Sequence, residues 1–534
     1  MSSLARSPLY ALLLAAGALF FAAGVLAPLG SIVVQALFPH GSFSTSALEA
    51  ALGQARVWEL LGRTVLLGAV TAAIAGLIGV AYAWLLARTD LPLRELWRAL
   101  GLAPVVIPPL LLSIAWSGWM PWLEGLWANA FVFSMAYTPI VILLASRAFE
   151  QIDGERLDAA RLLGGERAAL RISLGLAWPQ IAIALLLVFV FTTSDFAVPD
   201  YIAAMQSVER QQLSFNVYAG EIFAWIKLGT RYAEGAAASL PLAAIIFVAL
   251  ALVVRQLRRI EVATVGSGFR GGPPVRLGKW LPVALLGLLA YLALAFFLPI
   301  ARFVSEMQHV NPLLRAMGLS PDGSPDQNLS PAFLQSLKLS ASGATVAVLA
   351  SLAFAHFAAR RRKTLWLDLL WITPLAFPGI AYGIGMVGFY STHVTLFRPI
   401  RNGSAALIIN MAGHFLPFAY FAIQGAVRRT EREQEEAALL CGASPTAVFT
   451  RISIPLLARG LVAGWLLCFL FAMREIDSFA LLSYGESTIM RRIYEFIHRG
   501  RSPEIAAGCL VLIFFIAVPL ALHALLGKKK VEVL

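Results

Sequence analysis

A chain of 534 residues that is 59% hydrophobic and only 13% charged cannot cover a soluble fold of its size with polar surface. Its formal charge of +12 would also suit a nucleic-acid-binding protein, but the cations stand in short loops beside long apolar runs, which is typical of membrane topology signals. Composition and charge pattern therefore exclude a soluble globular protein and indicate a lipid bilayer, rather than nucleic acid, as the chain's surroundings.

Twelve apolar segments, each long enough to cross about 30 Å of hydrocarbon, follow one another along the chain. The first six lie near residues 9–37, 63–87, 99–119, 129–149, 176–196 and 234–254, and the second six near 280–303, 336–359, 365–390, 405–427, 457–478 and 504–526. Backbone groups in a bilayer have no water to bond, so segments that are apolar at consecutive positions must be helices rather than barrel strands. The sequence predicts an all-α integral membrane protein with about 12 transmembrane helices.

The basic residues predict the orientation of these spans. Arg88 follows the second span, Arg255 the sixth, the run 360–363 the eighth and the run 528–530 the twelfth. Because Lys and Arg accumulate in cytoplasmic loops, the even-numbered spans are expected to end in the cytoplasm. We therefore expect a multi-pass membrane protein with both termini cytoplasmic.

The chain repeats itself. Arg88 and Arg360 each close a second span, and Gly164 and Gly442 each stand between a fourth and a fifth span. Residues 1–260 and 280–534 are thus predicted to be two transmembrane halves of six spans each, joined by a cytoplasmic linker, 261–279, that is rich in Gly and Pro. Each half holds an even number of spans, so the halves are parallel and related by an axis along the membrane normal.

A short motif recurs between the fourth and fifth spans of each half. An acidic residue next to two alanines favours a helix whose first turn suits the helix dipole, and a later glycine can end that helix. The small alanines leave a shallow surface that a soluble partner can approach. The residues are Asp158, Ala159, Ala160 and Gly164 in the first half, and Glu436, Ala437, Ala438 and Gly442 in the second.

This motif resembles the EAA loop, E-A-A-x3-G-x9-I-x-L-P, of permeases from binding-protein-dependent ABC importers of type I. The second copy fits with Ile454 in place of Leu, whereas the first has Asp158 in place of Glu and reaches Pro179 two residues late. The resemblance implies that both loops couple to two copies of a cytoplasmic ABC ATPase subunit. It also implies a periplasmic or other extracytoplasmic solute-binding protein as partner, and alternating access as the mechanism.

The chain lacks an ATPase motif of its own. Neither Gly-Lys pair is followed by Ser or Thr, since Trp280 follows Lys279 and Lys529 follows Lys528. ATP is therefore expected to bind to the partner subunit, and this chain is expected to be neither an enzyme nor a cofactor-binding protein.

Polar residues also mark the outward ends of the fifth spans. Charged groups near a membrane are costly unless they are paired or face water. One hypothesis is that these residues line the translocation pathway or its outer gate, with Arg474 as a local counter-ion; the alternative is that outer water simply solvates them. The residues are Ser194, Asp195, Arg474, Glu475 and Asp477, and no metal site is predicted among them.

The segment from Ser194 to Pro199, S-D-F-A-V-P, resembles the fused permeases of ferric-iron importers. Ferric iron is accordingly the solute we expect, with thiamine, phosphonate and polyamine importers as alternatives. Two parallel six-span halves would also fit a secondary transporter of the major-facilitator type or a channel. Such a transporter would need ionisable residues deep in its spans, and these are sparse here.

Overall fold

The computed structural model describes residues 7–39, 41–205, 215–227, 231–261, 274–307, 309, 311–320, 327–361, 364–390, 400, 403–477, 479–482, 488–498 and 502–528. The predicted linker, 261–279, lies mostly outside the described residues, as do 362–363 and 529–530 of the basic loops. Within the described residues the chain is helical, and its one β-type pairing is a single bridge between Thr89 and Val275.

Long apolar helices alternate with short ones along the first half. In chain order they are α1 (Pro8–Leu37), α2 (Ser46–Leu52), α3 (Ala55–Arg88), α4 (Arg94–Val106), α5 (Pro109–Trp119), α6 (Gly125–Glu150), α7 (Gly154–Ser194), α8 (Ala197–Ala204), α9 (Tyr218–Lys227) and α10 (Tyr232–Glu261).

The second half follows the same order. Its helices are α11 (Gly278–Met307), α12 (Asn311–Ala316), α13 (Ser330–Ala359), α14 (Leu365–Ala376), α15 (Gly379–Tyr390), α16 (Ser404–Arg429), α17 (Arg432–Leu440), α18 (Pro445–Arg474), α19 (Phe479–Leu482), α20 (Ile489–His498) and α21 (Ser502–Lys528).

The third span of each half is broken, although the sequence predicts continuous spans at 99–119 and 365–390. The helices α4 and α5 meet at 90°, and α14 and α15 at 95°. The breaks follow extended backbone at Ile107 (ψ 112°) and Phe377 (ψ 124°), each of which precedes a proline, and a residue before proline is disfavoured in the α region. The described residues thus contain 10 continuous candidate spans, or 12 if each bent pair counts as one, which confirms the all-α membrane fold.

The chain forms two compact units, which do not follow its order. One unit comprises Met1–Ala55, Ile222–Phe247 and Met307–Leu534, and the other comprises Arg56–Glu221 and Val248–Glu306. Each unit thus includes the first span of the other sequence half. In the former unit, α1 is bonded to α13 through the Tyr10 hydroxyl, which donates to the carbonyl of Ala353 at 3.1 Å. In the latter, the Tyr291 hydroxyl of α11 donates to the carbonyl of Gly101 at 3.4 Å. The predicted division into halves at the linker stays a prediction about the sequence repeat.

Candidate functional site

A short helix precedes the fifth span of each half, and a glycine with positive φ separates the two. We call residues 154–163, the beginning of α7, the first loop helix, and α17 the second loop helix. The second ends just before Gly442, whose φ is 88°. In the first, the positive φ of 66° falls at Gly165, one residue after the predicted Gly164, whose φ is −159°. Only glycine adopts a positive φ without strain, so both loops redirect the chain at a residue that lacks a Cβ atom.

The motif residues lie on the exposed side of these loop helices. Asp158 and Glu436 have 54% and 53% of their side chains exposed, and each is paired with an arginine of its own helix, Arg161 at 2.8 Å and Arg432 at 2.7 Å. Ala159 and Ala437 are exposed, whereas Ala160 is buried and Ala438 half-buried. Both copies of the motif therefore present one acidic and one small side chain outward.

Three leucines at the ends of the loop helices are almost fully exposed. Leu162 and Leu440, which occupy equivalent positions of the repeat, are 88% and 89% exposed, and Leu163 is 90% exposed. No other large apolar side chain of the described residues is as exposed. The repeat therefore places matched, exposed apolar side chains at the ends of both loop helices. Sequence analysis missed these leucines because they occupy the unspecified positions of the motif, although their recurrence at the repeat spacing was a usable signal.

The first loop helix is held in place by apolar packing. Leu157 is 2% exposed in a cluster with Ile152 and Ala177, and Trp84 packs against that cluster. Arg88, at the end of α3, anchors the preceding turn, because its guanidinium donates to the carbonyl of Ile152 at 2.9 Å.

The second loop helix is held by a buried ion pair. Glu435 is 6% exposed and accepts hydrogen bonds from Arg360 at 2.7 Å and from Ser453 at 3.4 Å, with His356 Nε2 at 3.3 Å. Arg360 also donates to the carbonyl of Thr430 at 2.9 Å. Burial alone would raise the pKa of Glu435, but the hydrogen bonds and charges of His356 and Arg360 outweigh it and lower the pKa to about 2 from an ordinary 4.5.

These two arrangements occupy matched positions of the repeat. Arg88 and Arg360 anchor carbonyls that are themselves equivalent in the two halves, and Leu157 of the first half corresponds to Glu435 of the second. The arginine anchor is thus common to both halves. The side chain that holds the loop helix is apolar in one half and charged in the other.

A second ion pair is reversed in sign between the halves. In the first, Arg98 of α4 pairs with Glu150 at the end of α6. In the second, Asp368 of α14 lies 4.0 Å from Arg428 near the end of α16, and its carboxylate also accepts from the Tyr420 hydroxyl at 2.6 Å. The separation in sequence between Arg98 and Asp368 equals that between the prolines at which the two third spans break. The separation between Glu150 and Arg428 equals that between the glycines of the two motif copies. In each half an ion pair therefore joins the broken third span to the fourth. The third span carries the positive charge in the first half and the negative charge in the second.

The predicted pathway residues follow the far ends of α7 and α18. Asp195 accepts a hydrogen bond from the backbone N–H of Val198 at 3.1 Å, and the Ser194 hydroxyl donates to the carbonyl of Val190 at 2.8 Å. Asp195 thus bonds to the first turn of α8, and Ser194 bonds within its own helix.

In the other half, two carboxylates meet the start of α15. A Cβ atom on Gly379 would lie 2.8 Å from Glu475 Oε1 and 2.8 Å from Asp477 Cβ, so only glycine leaves room for this approach. The guanidinium of Arg474 lies 5.7 Å from the centre of the Phe471 ring. The structure brings Glu475 and Asp477 together beside the break in the third span. Among the described residues, no three His, Cys, Asp or Glu side chains are grouped so that they could hold a metal ion.

The chain matches known transport proteins. A family model described as "Binding-protein-dependent transport system inner membrane component" matches residues 346–530. The ferric transport system permease protein FbpB of Actinobacillus pleuropneumoniae is 21% identical over 95% of this chain and 77% of the relative. The molybdenum transport system permease protein ModB of Mycobacterium bovis is 28% identical over 35% of this chain and 75% of the relative. The putrescine transport system permease protein PotI of Escherichia coli is 25% identical over 27% of this chain and 54% of the relative.

Proposed function

We propose that this chain, which is a fused two-half inner-membrane permease of the binding-protein-dependent ABC importer family, provides the path for a solute and couples its passage to a separate ATPase. Membership in this family speaks against the secondary-transporter and channel alternatives. ATP and its hydrolysis belong to the partner subunit in this proposal, and the permease contributes no cofactor. The solute arrives on a soluble binding protein outside the membrane, and both termini face the cytoplasm.

The observation that carries this proposal is the matched pair of loop helices, each ending in an exposed leucine. Two such helices serve two copies of the ATPase subunit, one for each half. Burying a leucine contributes roughly 1.5–3 kcal/mol, which is enough for each tip to add substantially to docking. The arginine anchors, Arg88 and Arg360, fix each loop helix to the spans behind it. A displacement of the ATPase is thereby transmitted to the helices that form the path.

Within the permease, we propose that Asp195, Glu475 and Asp477 line the pathway or its outer gate, with Ser194 beside them and Arg474 as a local counter-ion. The approach of two carboxylates to Gly379 at a broken span supports this role, because irregular backbone at membrane depth is tolerated where it lines a cavity or is buried in protein.

For the solute we propose ferric iron. The S-D-F-A-V-P segment and the similarity to FbpB over 95% of this chain support iron. Similarity to the molybdenum and putrescine permeases keeps molybdate and polyamines as competitors, beside thiamine and phosphonate.

Co-purification tests the coupling role. The chain carrying Leu162→Asp and Leu440→Asp together should lose the ATPase subunit on affinity purification, whereas Leu319→Asp should retain it. Leu319 is a suitable control because it is 65% exposed and lies outside both loop helices. Retention of the ATPase by the double variant would refute docking through these tips.

Uptake measurements test the pathway and the solute. Asp195→Ala and Glu475→Ala, each inserted normally in the membrane, should reduce uptake; undiminished uptake would end the pathway proposal. Thermal shift of the cognate binding protein should respond to ferric iron. A shift with thiamine, a phosphonate, molybdate or a polyamine instead would reassign the solute and leave the coupling role standing.

A further inference from the structure

A side groove opens between α3 and α7 and has a volume of about 650 Å³. Small residues on α3, including Ala73, Gly76 and Ala81, form one wall, and Leu174 and Trp178 on α7 form the other. Both helices are long and apolar enough to be candidate membrane spans, so the surroundings expected for the groove are lipid chains. Trp178 is 58% exposed there.

In the second half the chain itself fills the matching place. Tyr10, at the start of α1, is 1% exposed, and its hydroxyl lies 3.1 Å from the carbonyl of Ala353 and 3.3 Å from His356 Nδ1. Ala353 and His356 are the second-half counterparts of Ala81 and Trp84, which line the groove. Within the described part of the chain, the first-half groove has no counterpart of Tyr10 and stays open.

Two arginines stand near the beginning of the groove-lining stretch of α7. Arg167, Arg171 and Trp178 are spaced i, i+4 and i+11 along α7 beyond its glycine break, so they share one helix face. Both arginines are exposed, and neither forms an ion pair with another described residue. The nearby carboxylate of Glu166 is paired with Arg161 at 3.0 Å. The helix face that lines the apolar groove thus continues into two arginines that have no ion pair among the described residues.

We propose that the side groove binds one anionic phospholipid, with an acyl chain against Leu174 and Trp178 and the headgroup phosphate at Arg167 and Arg171. Guanidinium groups bind phosphate through paired N–H donors, and basic pockets at the ends of membrane helices attract anionic headgroups. A zwitterionic lipid would fill the apolar part but offset less of the positive charge.

This lipid would act on the first loop helix. Trp84 lines the groove and also packs against the apolar cluster that holds Leu157. A bound acyl chain therefore supports Trp84 from the membrane side, in the place where Tyr10 supports His356 in the other half. The bound lipid would thus reinforce the apolar cluster behind the first loop helix, whereas Tyr10 takes this place behind the second.

Native mass spectrometry of the full chain tests the site directly. The protein is stripped of lipid in detergent and titrated with phosphatidylglycerol or phosphatidylcholine of the same acyl composition. One molecule of phosphatidylglycerol should bind to each chain more tightly than phosphatidylcholine does. The double variant Arg167→Gln with Arg171→Gln should weaken that binding about 30-fold. Each cation near an anionic lipid contributes about 1 kcal/mol, and each 1.36 kcal/mol is a factor of ten in affinity. Ala81→Phe, which fills the groove without changing charge, should abolish it.

The matched control is Arg451→Gln with Arg459→Gln. These arginines are exposed near the start of the fifth span of the second half, so the variant removes the same charge away from the groove. This control variant should bind phosphatidylglycerol as tightly, and with the same preference over phosphatidylcholine, as the unaltered chain. Equal binding of the two lipids, equal loss in the control, retention in Ala81→Phe, or displacement of the lipid by inorganic phosphate would each overturn the proposal. None of these measurements depends on the ATPase or on the transported solute.

Discussion

Replacement of Glu435 by Gln tests whether the buried ion pair holds the second loop helix. Gln keeps the size of the side chain and one acceptor oxygen but removes the charge that Arg360 and His356 face. The pKa of Glu435 is lowered from 4.5 to about 2, and each pKa unit is worth 1.36 kcal/mol. The ionised carboxylate is thus favoured by about 3 kcal/mol over a neutral side chain. Arg360, whose side chain is only 13% exposed, would also keep a positive charge without its partner.

Hydrogen–deuterium exchange read by mass spectrometry measures this effect locally. A loss of about 3 kcal/mol lowers the protection of amides in α17 by about 100-fold, because each 1.36 kcal/mol is a factor of ten. The first loop helix, which Leu157 holds, should exchange as before. Glu436→Gln is the matched control, since its side chain is 53% exposed and its pair with Arg432 is an exposed i,i+4 contact worth less than about 1 kcal/mol.

The same ion pair predicts a direction of pH dependence. A carboxyl whose pKa is lowered in the folded state stabilises that state above its ordinary pKa and loses this contribution as pH falls toward the folded value. Protection due to Glu435 should therefore decline as pH falls from about 4.5 to about 2. The Glu435→Gln variant should lack that decline. If Glu435→Gln and Glu436→Gln lost similar protection, or if both lost less than fivefold, the buried pair would not be what holds this helix.

Two further predictions concern backbone and charge. Gly442→Ala should destabilise the chain by about 1 kcal/mol because the backbone φ at this position is 88°. Gly425→Ala is the control: it lies in a helix with no atom within 4 Å of the new Cβ, so it should leave the stability unchanged or raise it slightly. Equal melting temperatures of the two variants in lipid nanodiscs would contradict this prediction. Asp368→Arg should destabilise by about 3 kcal/mol by placing like charges together, and adding Arg428→Asp should recover at least half of that loss in the same melting assay; an additive loss would refute the reversed pairing.

The spans were predictable because apolar length alone specifies a membrane helix. The breaks in the two third spans were harder to predict, although the prolines that follow Ile107 and Phe377 indicate where the helices are interrupted. The motif loops were recognisable from Asp158 and Glu436, because these residues are exposed and their contacts are with neighbours in the same helix. Glu435, next to the motif, was overlooked because its burial depends on partners 75–79 residues away in sequence.

The reversed ion pairs show a signal that was present but unread. Arg98 and Asp368 stand at the repeat spacing with opposite signs, as do Glu150 and Arg428. Comparing the two halves position by position would have suggested that each pair is in contact. The side groove could not be foreseen in this way, because the place that matches it in the second half is filled by Tyr10, whose contact with Ala353 spans 343 residues of sequence.

That separation has a consequence for biosynthesis. The helix α1 leaves the ribosome long before its partner, because the carbonyl that Tyr10 binds is made 343 residues later. At about 5–20 residues per second, α1 waits for roughly 20–70 s in the membrane before its partner is made. During that time α1 lacks this contact, and its apolar composition allows it to persist because the bilayer can solvate an apolar helix whose backbone groups are bonded internally. The contact between α1 and α13 therefore forms only after the spans that lie between them in sequence have been made.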